Sequence, residues 1–393
     1  MNKRDVAIIN VETHFLNIDG HIYAESLMDS LFWSKYLSAF NKLYVIARIK
    51  QYDNENLSEW VLSDCEDVVF LPLPDYRGPK EYLKYYFAIK RAIKKYSSEL
   101  SGKAVAIMRS PSPIGYMFLK QWTNKTNPYG MEICANYSDD FYYHIDVIHS
   151  ILYGVLNIQT KYYAKKATGV SYVTKKVLQN EYPTDGITAS YSSIDIPECL
   201  YYKREPLKKR KEMYTLIHVS TLAIDIKGNE EFLGVLLNLR NSGYNATGVV
   251  VGGGRLKEYY IKRAADLGLG EFIRFTGHIS HKEDLMNELK CADIMLFPTL
   301  SEGLPRTVIE AMANSLPCVS SDIPCMHELL EDHWLCNPKD VELLSSRIKE
   351  LIDDIDKYNT TSLRNYTESL EFEYGHLREV RQQFYSSISK ESN

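Results

Sequence analysis

Two carboxylates mark where this chain can do chemistry. Glu302 and Glu310 stand in one run at 301–313, S-E-G-L-P-R-T-V-I-E-A-M-A. An ionised carboxylate only accepts hydrogen bonds, so hydroxyl groups are its natural partners. Between the glutamates the run offers a different grip. Gly303 lets backbone approach a ligand closely, and Pro305 is expected at the first position of a helix. The free N–H groups of Leu304, Arg306 and Thr307 then point outward as a cradle for phosphate. Two carboxylates repel a phosphate, so they need another reason to be there. A phosphate cradle flanked by acceptors for hydroxyls suggests a sugar nucleotide.

The elements around this run must hold it in place. Ile294-Met295-Leu296-Phe297-Pro298 before it reads as a buried parallel strand, and 317–321 after it as another. Strands are expected at 6–11, 43–49, 68–74, 104–108, 131–135, 169–173 and 187–192, alternating with helices that include 26–40, 79–100 and 145–167. The alternation restarts after K-R-E-P-L-K-K-R-K, which reads as an interdomain linker. Strands follow at 215–220, 246–251 and 273–276, with helices at 228–241, 255–267, 285–291 and 341–358 and a helical tail at 363–388. Such alternation means doubly wound parallel sheets. The expected fold class is α/β with two Rossmann-like domains, 1–205 and 206–375. A last helix at 376–393 is expected to pack back on the first domain.

Composition narrows the function. At 393 residues the chain is too long for one ordinary core. A net charge of -5 argues against a generic nucleic-acid binder. Seven cysteines without a C-x-x-C pair fit a reducing compartment better than a disulfide framework or a zinc site. The basic N-terminus leads into an apolar run too short for a signal peptide, and no stretch reaches a membrane span. The D-x-D at Asp354-Ile355-Asp356 reads as a solvated face of an acidic helix. No metal or resident cofactor is expected.

Five motifs in order carry a resemblance: H-V-S-T-L-A-I-D-I-K-G at 218–228, V-V-G-G-G at 250–254, F-T-G-H-I at 275–279, A-D-I-M-L-F-P-T at 292–299 and the run at 301–313. Together they resemble the retaining glycosyltransferases of the GT-B fold, the large family-4 group. The resemblance implies two Rossmann-like domains facing across a cleft, the second holding a nucleotide diphosphate sugar and the first mostly the acceptor. Glu310 lies roughly 7.5 Å along the helix, and the resemblance gives it the ribose hydroxyls. It gives Glu302 the donor sugar or the positive charge developing at the anomeric carbon, and Lys227 the pyrophosphate leaving group. Gly252 to Gly254 are expected to pack below the nucleotide, with Gly253 facing it. Gly277, His278 and Ile279 frame the base.

Two departures stand out. Where the family has an arginine ahead of the lysine, this chain has Ser220-Thr221-Leu222. Thr221 donates a hydrogen bond but has no charge, which leaves Arg306 or Arg255 to compensate. Where the family has a histidine after a central strand, this chain has Asn136-Tyr137-Ser138-Asp139-Asp140. Asp139 is either a contact to a sugar hydroxyl or a turn residue. In the first domain Gly20 is the only glycine of the first loop, and Arg109 is placed to face the cleft. The expected activity is transfer of a sugar to a glycan or lipid-linked glycan acceptor in surface polysaccharide synthesis. The alternatives are a GT-B nucleotide-sugar epimerase and a non-catalytic nucleotide-sugar-binding scaffold. The basic helix at 79–100, with Tyr82, Tyr85, Tyr86 and Phe87, is either a plain surface helix or a peripheral contact with an anionic membrane. The expected location is cytoplasmic, with that contact at the inner face of the cytoplasmic membrane.

Overall fold

The computed structural model describes residues 6–25, 28–52, 60–124, 127–136, 147–194 and 196–391. Two compact units emerge, Met1–Tyr191 with Arg378–Asn393, and Ser192–Leu377.

The first unit contains β1 (Val6–Ile18), β2 (His21–Ala24), α1 (Ser30–Leu37), β3 (Lys42–Gln51), β4 (Val61–Leu62), β5 (Val68–Leu73), α2 (Gly78–Leu100) and β6 (Val105–Ser110). It continues with α3 (Pro113–Thr123), β7 (Tyr129–Ile133), α4 (Val147–Lys166), β8 (Gly169–Tyr172), α5 (Val177–Glu181) and β9 (Ile187–Ser190). Parallel pairing runs β5-β3-β1-β6-β7-β8-β9. One side of this sheet buries Ile8, Ala106, Met131 and Val170 in a core with Ile89 and Ile93 of α2, Phe118 and Trp122 of α3, and Leu156 of α4.

The first strand departs from expectation. β1 does not stop at Val11 but runs to Ile18 and turns through Asp19 and Gly20 into the antiparallel β2. Gly20 has φ +91 and is therefore a hairpin residue, not part of a ligand loop. Asp-Gly is a strong hairpin signal, because both turn positions take positive φ. Asp19 indeed has φ 52. The register of β1 on β3 also slips between Asn10 and His14, a bulge at the carboxyl edge of the sheet.

The second unit contains β10 (Tyr214–Val219), α6 (Asn229–Asn241), β11 (Ala246–Val251), α7 (Lys257–Asp266), β12 (Ile273–Gly277), α8 (Lys282–Cys291) and β13 (Ile294–Phe297). After these come α9 (Arg306–Ala313), β14 (Cys318–Ser321), β15 (Leu335–Cys336), α10 (Val341–Asp353) and α11 (Ile355–Ser369). Its strands are ordered β12-β11-β10-β13-β14-β15, all parallel. The helix expected at 341–358 is two helices. Asp354 breaks it and accepts the N–H of Lys357 as the cap of α11, the usual work of Asp at a helix start.

The expected linker is a strap inside the second unit. Arg204 donates to the carbonyls of Asn314 (2.7 Å), Leu289 (2.9 Å) and Lys290 (3.0 Å), so one guanidinium serves carbonyls left open where α8 and α9 end. The final helix, α12 (Tyr374–Glu391), crosses from one unit to the other. Its Tyr385 hydroxyl donates to Glu132 of β7.

Candidate active site

In each sheet the chain first builds strands to one side of its central strand and then returns to the other side. The crevice at that switch, outside the carboxyl ends of the strands, is where open α/β sheets hold ligands. In the second unit the switch lies between β10 and β13. Lys227 follows β10 and Glu302 follows β13.

The two loops are fastened together. Leu300 N–H donates to the carbonyl of Ile226 at 2.9 Å. A Cβ on Gly228, which has φ +76, would stand 2.1 Å from the Pro298 carbonyl, so only glycine permits this approach. Lys227 Nζ is held 2.6 Å from Glu302 Oε1 and 3.0 Å from the Ser301 carbonyl. Directly after this pair comes α9. Pro305 is its cap residue and not its first helical residue, with φ -73 and ψ 109. No side chain caps α9, so its first N–H groups keep the open donors common to helix starts. Gly303, Leu304 and Thr307 are half-buried there, and Arg306 is exposed.

Glu310 is buried in α9, and Lys282, the first residue of α8, reaches it: Nζ to Oε1 is 2.6 Å. The sequence pointed to both carboxylates and to Lys227, but not to Lys282. Lys282 lies 28 residues before its partner, and only the fold joins them. Asn229, the first residue of α6, is buried, and neither polar atom of its side chain has a hydrogen-bond partner.

Three turns at the carboxyl ends of β10, β11 and β12 meet on the glycine triplet. Leu222 N–H donates to the Gly253 carbonyl at 2.8 Å, and Gly252 N–H to the Gly277 carbonyl at 2.9 Å. A Cβ on Gly252 would lie 1.8 Å from the Ser220 carbonyl. Gly253 packs against the exposed His278, and Ile279 is half-buried beside it. Thr221 is exposed and its hydroxyl accepts the Ala223 N–H at 3.2 Å, the role of a turn residue. Arg255 braces the same turn, with Nε 2.9 Å from the Ala223 carbonyl. His218 lies beneath it. Its Nδ1 is 3.0 Å from the Leu296 carbonyl and its Nε2 2.8 Å from the Ser220 hydroxyl. Burial holds its pKa down at about 4, so the ring is neutral, donates to the carbonyl and accepts from Ser220.

In the first unit the switch lies between β1 and β6. Ser112, the cap of α3, donates to Glu12 across it. Arg48 donates to the Glu12 carbonyl and stacks on the Tyr76 ring, 4.7 Å from its centroid. His14 Nδ1 meets Asp75 Oδ1 at 2.6 Å. Desolvation raises the Glu12 carboxyl above its usual range, against the pull of Arg48. None of these residues stood out in the sequence, where the bulge of β1 is invisible. Arg109, expected to face a cleft, is instead paired with the buried Glu132, Nε to Oε2 3.5 Å. Glu132 also accepts the hydroxyls of Tyr36 (2.7 Å) and Tyr191 (3.1 Å), so Arg109 is a structural counter-ion. Asp139 lies outside the described residues. Among the described residues no group of His, Cys, Asp and Glu gathers as a metal ion requires.

Residues 202–367 match the family described as glycosyl transferases group 1. The chain is 26% identical over 323 residues to the protein CapJ of Staphylococcus aureus, covering 81% of this chain and 80% of CapJ. It is 26% identical to the O-antigen chain mannosyltransferase RfbU of Salmonella typhimurium, over 59% of this chain and 63% of that one. Among solved structures it is similar to the sucrose-phosphate synthase of Thermosynechococcus elongatus, with a TM-score of 0.73 at 13% identity over 97% of this chain and 98% of that one. It is also similar to Anabaena HepE in complex with UDP and glucose, with a TM-score of 0.66 at 14% identity over 95% and 97%. Motifs, fold and relatives agree that residues 202–367 match the group 1 glycosyl transferases and that the chain is a glycosyltransferase of the GT-B fold.

Proposed function

We propose that the protein transfers a sugar, with retention of configuration, from a nucleotide diphosphate sugar to a hydroxyl of a surface-polysaccharide intermediate. The observation that carries this is the Lys227–Glu302 pair beside the uncapped start of α9. An ammonium group has three donors, and Lys227 spends two of them on Ser301 and Glu302. The third is left for the diphosphate, which also takes the open N–H groups of α9. Glu310 gives one oxygen to Lys282 and keeps the other for the ribose hydroxyls. Arg255, fixed at the Thr221 turn, supplies the positive charge that Thr221 lacks.

In the proposed step the bond from the anomeric carbon to the diphosphate oxygen breaks, and its electron pair leaves with the nucleotide. Lys227 and the helix start stabilise that charge. The acceptor oxygen bonds to the same face of the sugar, and its proton passes to the departing phosphate. Glu302 stabilises the oxocarbenium-like carbon between the two events. No protein nucleophile and no metal takes part. The acceptor is received by the first unit at the Glu12–Ser112 switch point.

The similarity to RfbU, an O-antigen chain mannosyltransferase, supports the acceptor class. The test is turnover of uridine, guanosine, thymidine and adenosine diphosphate sugars, with and without a polyprenyl diphosphate-linked sugar. Free nucleotide that appears only with acceptor supports transfer. An isomerised donor favours an epimerase, and binding without turnover favours a scaffold.

A further inference from the structure

We infer that α2 and α4 together form a docking surface for an anionic lipid bilayer. Both helices pack on the same side of the first sheet, in one core with α3 between them. Their outer faces carry apolar side chains that the fold leaves uncovered. On α2, Leu83 and Phe87 are 69% and 77% exposed. On α4, Ile151, Val155, Ile158 and Tyr162 are 64%, 46%, 69% and 54% exposed. Their spacing of four, three and four residues makes a single stripe along a helix. The exposed stripe on α4 and the exposed pair on α2, one helix apart, exceed the scattered apolar residues of an ordinary surface.

Charge identifies the occupant. Lys80, Lys84, Lys90, Arg91, Lys94 and Lys95 are exposed on α2, against Glu81 and Glu99. Helix α4 has no acidic residue and ends in exposed Lys165 and Lys166. Only Lys95, through Glu99 at 4.0 Å, is in an ion pair among these eight. A second copy of the chain docked face to face on this surface would set cation against cation. Apolar side chains ringed by cations instead match a layer of acidic headgroups over acyl chains. Helix α2 starts just after β5 ends, at the carboxyl edge of the sheet that also holds Glu12 and Ser112.

The test is sedimentation of the full chain with vesicles of equimolar phosphatidylcholine and phosphatidylglycerol, and with phosphatidylcholine alone. It needs neither donor nor acceptor, so its outcome is separate from that of the transfer reading. Binding is expected to the mixed vesicles only and to weaken with salt. Phe87→Ser combined with Ile158→Ser is expected to weaken it at least about tenfold, and Lys84→Gln or Lys90→Gln about fivefold each. These side chains are exposed, so the melting midpoint and the transfer rate to a water-soluble acceptor should not change. Equal binding to neutral vesicles, no binding, or binding indifferent to the four substitutions would overturn the inference. A dimer without vesicles that Phe87→Ser with Ile158→Ser dissociates would overturn it too, in favour of a second copy.

Discussion

Lys227 and Glu302 belong to different loops, one after β10 and one after β13, yet their Nζ and Oε1 atoms lie 2.6 Å apart. The pair closes the crevice at the switch point of the second sheet. In the proposed reaction it sets a cation beside the diphosphate and an anion beside the sugar carbon. Both side chains are largely shielded from solvent, at 16% and 19% exposure, so neither is a flexible surface charge.

Lys282 should matter for binding more than for turnover. Lys282→Met leaves the buried Glu310 carboxylate without its partner and free to swing. The Kd for the matching nucleoside diphosphate is expected to rise about tenfold, the loss of one charged hydrogen bond, with kcat nearly unchanged. Lys282→Arg should restore most of the affinity. Isothermal titration with the diphosphate checks both variants.

Gly228→Ala should be severe. It strains a positive φ and drives a methyl into the Pro298 carbonyl. A loss of about 3 kcal/mol or more is expected, seen in urea unfolding, together with loss of donor binding as Lys227 moves.

Stability should fall in mild acid. His218 is neutral in the fold, with its pKa pulled from 6.5 to about 4 by burial. As pH drops through 6.5 toward 4, the unfolded chain takes up a proton that the folded chain refuses. The contribution is therefore complete above the unfolded value and is lost below it, by up to about 3 kcal/mol. Melting curves across this range should show the decline, and His218→Gln should flatten it.

Substitutions at the first unit's switch point should separate acceptor from donor. Glu12→Gln and His14→Gln are expected to raise the acceptor KM about tenfold, roughly one hydrogen bond to a charged group. The affinity for nucleoside diphosphate should stay unchanged. Initial rates at varied acceptor concentration read this directly.

Much of the donor half was legible because its chemistry is local. Glu302, Pro305, Arg306 and Glu310 share one loop and helix, and the apolar run before them announces the strand. The first unit hid its site for physical reasons. The bulge between Asn10 and His14 moves Glu12 off the regular period of the strand, and Asp19-Gly20 was a hairpin signal inside an expected loop. Arg109 looked functional because it follows a strand. Its partner Glu132 and the tyrosines at 36, 191 and 385 come from separate elements, so only the fold shows it to be structural. Arg204 misled in the same way: a basic stretch reads as a connector until the helix ends it serves are brought to it.

The central claim is that Glu302 acts on the sugar while the rest of the crevice holds the nucleotide. It is tested most directly by Glu302→Gln, measuring transfer at saturating donor and nucleoside diphosphate binding on the same preparation. The predicted result is a fall in kcat of about a hundredfold or more, with the diphosphate bound as in the unsubstituted protein. Full transfer by Glu302→Gln would contradict the account.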